Sequence, residues 1–355
     1  MILRPNKTGS SKNKNHIDRR SFIKLTGLAG LGLALNSAIP LLAKSLGKNP
    51  DLHRVSNTRL AMGTTVTMIL IYQAEQEARD AIERAFKEIE RLSALMDHYK
   101  EGTEVSLLNK NGILSNASQE VIEVVSKAIR YYRLTKGAFD ITIYPVIDLF
   151  KRSFSKGKNS YPERDEIRDV LELVGSDNIE IDGRGIRFKK KGMKITLDGI
   201  AKGYIVDKAS KILLDHGIKR HLINAGGDIM AVGLREDMQP WRVAIQDPKK
   251  RNNHLDVIDL MDASVATSGN YENYFDRDML YHHIADPKTG LSPVITSSAS
   301  VIATTATDAD ALATALMVMG PEKGTMFIDS LAGYESLIIT RDNRIRRSAG
   351  WVSRK

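Results

Sequence analysis

Cysteine is absent from all 355 residues. That one absence removes disulfides, thiolate metal centres, cysteine nucleophiles and a lipid-modified N-terminal cysteine. Any metal must be held by oxygen or imidazole. The phosphate-binding GxxxxGK[ST] loop, the dinucleotide-binding GxGxxG and the zinc-binding HExxH spacing are also missing. No internal sequence period or break in composition marks a repeat array or a second domain. A basic body is lacking too, although the formal net charge is +9. Residues 1–24 hold seven Lys or Arg against Asp18 alone, a net of +6, which leaves only +3 for the remaining 331 residues. A polybasic nucleic-acid binder is thereby excluded, and so is disorder, because 42% of the residues are hydrophobic and 27% charged.

The basic excess belongs to a leader. Asp18-Arg19-Arg20-Ser21-Phe22-Ile23-Lys24 precedes an uncharged run of 19 residues, Leu25 to Ala43, rich in Leu, Ala and Gly. A charged n-region followed by an apolar h-region reads as an export signal, and the paired arginines resemble the twin-arginine type. The alternative is a retained membrane anchor, since the run is barely long enough to span, but Gly27, Gly30, Gly32, Asn36 and Pro40 interrupt it. Residues 1–43 are therefore expected to be a signal peptide or anchor, and 44–355 the working domain. Its expected location is the periplasm or the outer face of the cytoplasmic membrane.

Within the body, Arg59 to Tyr72 contains the β-branched stretch Thr64 to Ile71 and reads as a strand. Apolar residues at steps of three and four predict a helix over Glu75 to Met96. A second helix starts at an N-cap on Ser118 and ends at Gly137. A charged helix is expected near Pro162 to Val174, a hairpin around Asp182-Gly183-Arg184-Gly185, a strand over Met193 to Leu197, and a helix from Ala201 to His216 closed by Gly217. Further strands are expected at His221 to Ile223, Trp241 to Gln246, Val257 to Leu260, Tyr281 to Ile284, Ser298 to Ala303 and Ser336 to Ile339. Helices are expected over Asp308 to Met319 and Pro321 to Ser330. This mixture, with no regular βαβ repeat, predicts an α+β domain and not a doubly wound sheet.

Four segments could carry chemistry. Asp310 and Thr314 lie four apart on a helix, so their oxygens can face one point suited to a hard cation such as Mg²⁺ or Ca²⁺. The structural reading is that Asp308 caps that helix, Asp310 favours its dipole and Thr314 bonds back to the backbone. Asp198 to Tyr204 joins a strand to a helix, where free amides and Lys202 could meet phosphate. Asn224-Ala225-Gly226-Gly227-Asp228 is a second Gly-rich strand exit, fit for a tight turn or a site wall. His282-His283 precedes the turn Asp286-Pro287-Lys288-Thr289-Gly290, and a histidine there could be a general base or purely structural. Neighbouring strand residues face opposite ways, so at most one of the pair enters a given pocket.

Taken in order, Met62-Gly63-Thr64, Met96-Asp97-His98-Tyr99, Gly137-Ala138-Phe139-Asp140, Gly199 to Tyr204, Asn224 to Asp228, Thr267-Ser268-Gly269, His282 to Gly290 and Ala309 to Thr314 resemble the ApbE family of FAD:protein FMN transferases. The resemblance implies a single T-fold-like α+β domain that takes FAD and Mg²⁺, attaches FMN through its phosphate to a Thr or Ser of an exported acceptor protein, and releases AMP. It implies flavin-dinucleotide contacts at Met62, Tyr99, Ala138, Phe139, Asp140, Lys202 and Ile284. It further implies Mg²⁺ ligands at Asp310, Thr314 and the Gly199 carbonyl, and a base at His283. Replacing His282 is accordingly expected to matter less than replacing His283. Where the family commonly reads Val-Asp-Leu-Gly-Gly-Ile-Ala-Lys-Gly, this chain has Thr196 in place of the Asp and Asp198 in place of the first Gly. With water as acceptor, the same site would be an FAD pyrophosphatase, and without turnover a flavin-binding protein. The twin-arginine export machinery is a further expected partner.

Overall fold

The computed structural model describes residues 52–155, 161–270, 274–275 and 281–354; the expected leader lies outside them. In chain order the elements begin with β1 (His53–Ala61), β2 (Thr64–Tyr72), α1 (Glu75–Met96), α2 (Glu104–Asn111), β3 (Ile113–Leu114), α3 (Gln119–Leu134), α4 (Tyr144–Ser155) and α5 (Arg164–Leu171). They continue with β4 (Ile179–Asp182), β5 (Gly185–Phe188), α6 (Ala201–Asp215), β6 (His221–Ala225), β7 (Asp228–Val232), β8 (Trp241–Asp247), β9 (Lys250–Leu260) and β10 (Ala263–Gly269). The last are β11 (Thr296–Ala303), α7 (Ala306–Met319), α8 (Pro321–Asp329), β12 (Glu335–Thr340) and β13 (Ile345–Arg347).

One eight-stranded sheet, in the order β1-β2-β6-β7-β10-β11-β12-β13, organises the chain. Its ladders are antiparallel throughout. Strand alternation sorts the apolar residues onto its two faces. Met68, Leu70, Ile223, Met230, Val301 and Ile338 face the helices α1, α3, α6 and α7 in the main core. Their neighbours Ile71, Leu222, Ile229, Ala231, Leu337 and Ile339 pack with Trp241, Val243 and Ile258 of the β8–β9 hairpin and with Trp351. Both faces are thus covered, which gives the α+β architecture expected from the sequence. A smaller core joins Val146 and Phe150 of α4 to Ile167 of α5. The small sheet β3-β5-β4 flanks the helices.

The predicted helices from Glu75, Ser118, Ala201 and Pro321 form, and the Ser118 hydroxyl accepts from the Val121 N–H as the expected N-cap. Three expectations need correction. Arg59 to Tyr72 is not one strand, because Met62 and Gly63 both take positive φ, 52° and 70°. They make a two-residue hairpin turn of the type that requires left-handed backbone at both positions, and methionine in place of the usual Asn hid it. Met193 to Leu197 is irregular, because the Asn109 carboxamide takes the place of a strand partner: it accepts from the Ile195 N–H at 2.7 Å and donates to the Ile195 carbonyl at 2.8 Å. Tyr281 to Ile284 carries only an isolated bridge, Tyr274 to His282. Helices α2 and α4 have no counterpart among the expected elements, although Thr103 caps α2 by accepting from the Ser106 N–H and Gly112 ends it in the left-handed region.

Candidate active site

The helices α6 and α7 cross at a glycine. A Cβ on Gly203 would lie 2.2 Å from the Ala306 carbonyl oxygen and 2.9 Å from the Asp310 Cβ, so only glycine permits the approach. The contact is reciprocally capped. Asp310 accepts from the Gly203 N–H in the first turn of α6 at 3.0 Å, while Asp207 of α6 accepts from the Ala306 and Thr307 N–H groups of α7 at 2.8 and 2.9 Å. Each carboxylate therefore satisfies donors that its neighbour helix would otherwise leave open. Burial, and then the charge of Asp228, push the Asp310 carboxyl well above the ordinary carboxylate range, against the pull of Lys202 and the Gly203 amide.

Above this crossing lies a cavity of about 920 Å³, at the upper end of the ~300–1,000 Å³ usual for small-molecule sites. Met62, Tyr99, Ala138, Phe139, Asp140, Gly199, Lys202, His283, Ile284, Asp310 and Thr314 all line it. The eleven residues that the family resemblance implies are thus brought to one place, whereas His282, Asp308 and Asn224 to Asp228 are not part of the lining. Asp308 does not cap α7. The N-cap is Thr305, whose hydroxyl accepts from the Asp308 N–H, and Asp308 is instead clamped by the hydroxyls of Tyr131 and Tyr334. The Thr314 hydroxyl meets that of Ser268 at 3.1 Å. A Cβ on Gly199 would come within 2.9 Å of the Thr314 Oγ1, so the backbone there passes close over the hydroxyl. Lys202 Nζ lies 3.3 Å from the Oδ2 of the buried Asp228.

Beside Gly199 the lining turns apolar with a few fixed polar groups, and a Cβ there would lie 3.3 Å from Phe139 Cε2. Phe139 is buried and meets Tyr131 edge-on. The Asp140 Oδ1 accepts from the Thr142 amide and hydroxyl and from the Ser176 hydroxyl, whereas its buried Oδ2 meets no hydrogen-bond partner among the described residues. Burial pushes this carboxyl up, against the hydrogen bonds from Ser176 and Thr142.

The two departures from the family pattern also find places. Thr196 is buried and its hydroxyl accepts from the Asp198 N–H at 3.2 Å. Asp198 accepts from the Tyr99 hydroxyl at 2.8 Å and lies 3.7 Å from the His98 Nδ1, so it fixes the tyrosine at the pocket mouth. His98 and Ser268 were legible only as members of the motifs Met96 to Tyr99 and Thr267 to Gly269, and Asp148 and Lys151 had no signal in the sequence. His98 packs its ring between Tyr99 and Tyr144 at 3.9 and 4.7 Å, and the other three line the cavity. Burial pushes the His98 imidazole down, against Asp198 and Asp97. Asp228 was legible only as the end of the Gly-rich strand exit.

Met62 reaches the cavity from the hairpin turn at φ 52°. Left-handed backbone costs a non-glycine residue about 1–2 kcal/mol, and asparagine tolerates it best. Met62→Asn is therefore expected to raise the melting temperature, read by thermal melts, while taking a thioether off the cavity lining. A lower melting temperature would show that the methionine side chain stabilises the turn by more than its left-handed backbone costs.

The ApbE family model matches residues 62–338. An FAD:protein FMN transferase of Vibrio cholerae is 32% identical over 273 residues, covering 74% of this chain and 80% of that protein. One from Treponema pallidum is 28% identical over 333 residues, covering 87% and 91%. Among solved structures, the ApbE protein of Thermotoga maritima superposes with a TM-score of 0.76 at 30% identity, covering 84% of this chain and 97% of that one. The flavin transferase ApbE of Vibrio cholerae gives 0.71 at 29% identity, covering 84% and 98%.

Proposed function

The chain belongs to the ApbE family and is an enzyme of the flavin transferase type; on that premise we propose that it moves FMN from FAD to a Thr or Ser hydroxyl of an exported acceptor protein, releasing AMP. The observation that carries this reading is the gathering of Asp310, Thr314, Lys202 and His283 on one cavity large enough for a dinucleotide. Met62, Tyr99, Ala138, Phe139, Asp140 and Ile284 form the wall offered to the flavin dinucleotide. The oxygen donors of Asp310, Thr314 and the Gly199 carbonyl suit Mg²⁺. An ion held by so few protein oxygens would complete its shell with substrate phosphate and water. When bound, the ion would supply charge stabilisation to the pyrophosphate oxygens.

The chain's own residues do the rest. Lys202, held by Asp228, places an ammonium beside the phosphates. His283 takes the proton of the acceptor hydroxyl as its oxygen bonds to the FMN phosphorus and the bond to AMP breaks, the pair of electrons leaving with AMP. Incubation with FAD, Mg²⁺ and the exported proteins of the same cell should give a fluorescent flavin band in a denaturing gel. FMN and AMP without a labelled protein would identify a pyrophosphatase instead, and FAD intact after hours a binding protein.

The proposed location is exported, from the leader. Changing Arg19 and Arg20 to Lys is expected to leave precursor in the cytoplasm, and normal export of that variant would remove the twin-arginine machinery as a partner.

A further inference from the structure

Among the described residues, His283 lies outside every sheet. The residue before it takes the place of a sheet's support. His282 is 2% exposed, and its backbone N–H donates to the Ser292 hydroxyl at 3.0 Å while that hydroxyl donates to the His282 carbonyl at 3.0 Å. Its ring reaches both arms of the loop. Nδ1 lies 3.3 Å from the Ile284 amide nitrogen, and Nε2 lies 3.2 Å from the Pro293 carbonyl oxygen. An amide N–H can only donate and a carbonyl can only accept, so the two contacts together select the neutral ring with its hydrogen on Nε2. The Tyr274 ring closes on it edge-on at 5.8 Å.

We propose that His282 is a positioning residue for group transfer: its ring pins the peptide on the C-terminal side of His283 to the returning arm at Pro293, and so fixes where the His283 imidazole stands in the cavity. The inference rests on the reading of His283 as the base. It reverses the expectation that His282 matters little, which assumed a strand with the two rings on opposite faces. A side chain that faces away from the pocket is here the brace of the one that faces in.

Misplacement of a reacting group by about 1 Å can cost roughly 10²-fold in rate. The full chain, assayed for FMN transfer with FAD and Mg²⁺, should lose about 10- to 100-fold in kcat on His282→Ala, with the Kd for FAD within about threefold of wild type. His282→Asn should recover most of the loss, because its carboxamide oxygen can accept from the Ile284 N–H, whereas His282→Phe, which fills space without accepting, should not. Should the alanine variant fail to fold, the Asn and Phe pair makes the same comparison. Wild-type kcat in His282→Phe, equal activity of Asn and Phe, or a loss confined to FAD affinity would overturn the proposal. In a His283→Ala background, His282→Ala should cost nothing further, and an additive loss would also overturn it. Full activity of His283→Ala alone would instead sink the base assignment, and is read separately.

Discussion

Replacing His283 with alanine is expected to cut FMN transfer by about 10²- to 10⁴-fold, the usual worth of a general base, while FAD stays bound. The separation follows from where the contacts lie. The proposed dinucleotide wall is spread over Met62, Tyr99, the adjacent Phe139 and Asp140, and Lys202, on four different segments, so removing one imidazole leaves most of it in place. The chemical step has no such redundancy. His98 is buried and faces Asp198 and two tyrosines, His282 is committed at both ring nitrogens, and His221 is buried between the Ser210 hydroxyl and the Ile218 carbonyl. Transfer to an acceptor, FAD affinity by fluorescence quenching, and rescue by added imidazole form the test. Imidazole should restore part of the rate in His283→Ala, because the truncation leaves space for it. A variant that transfers FMN at the wild-type rate would remove His283 from the chemistry, and one that loses FAD binding in proportion to rate would make it a binding residue.

How far the sequence carried the site depends on how local each signal was. The Asp310 and Thr314 pair is read from one turn of one helix, and the α6–α7 crossing is foreshadowed by Gly199 and Gly203 within a single motif. Helix α1 was legible because Ala78, Ile82, Ala85, Ile89, Leu92 and Met96 repeat at helical spacing, and all six are buried. Asp198 and Tyr99 meet only when the chain closes across the pocket, so their hydrogen bond has no local signature. Asn109 replacing a strand partner, and Ser292 doing the same for His282, are side chains doing what backbone usually does. Hydrophobic periodicity is blind to that substitution, and it accounts for two of the strand predictions that failed. The third, at Met62, failed because a residue that disfavours the left-handed region was placed there, on the cavity wall.

Asp310→Asn is expected to abolish the response to Mg²⁺ while leaving the fold intact. The variant is chosen over alanine because an amide oxygen can still accept from the Gly203 N–H, the bond that caps α6. What it removes is charge. In the folded protein burial and Asp228 already disfavour the ionised carboxylate, so a neutral isostere gives up little stability and the melting temperature without ligands should equal or exceed that of the wild type. On the proposed reading a divalent cation reverses the preference, since the ionised carboxylate would be the ligand with the strongest hold and the Thr314 hydroxyl only a weak one. With FAD present, saturating Mg²⁺ should raise the wild-type melting temperature, a ligand at about 100 times its Kd being worth ~2.7 kcal/mol, and should leave the variant unmoved. Transfer should fall by at least about 10²- to 10³-fold, as when one transition-state stabilising group is lost. Thr314→Val should show a smaller loss of both. A variant that melts like the wild type in Mg²⁺ and keeps its turnover would make Asp310 no more than the cap of α6, with the cation held elsewhere.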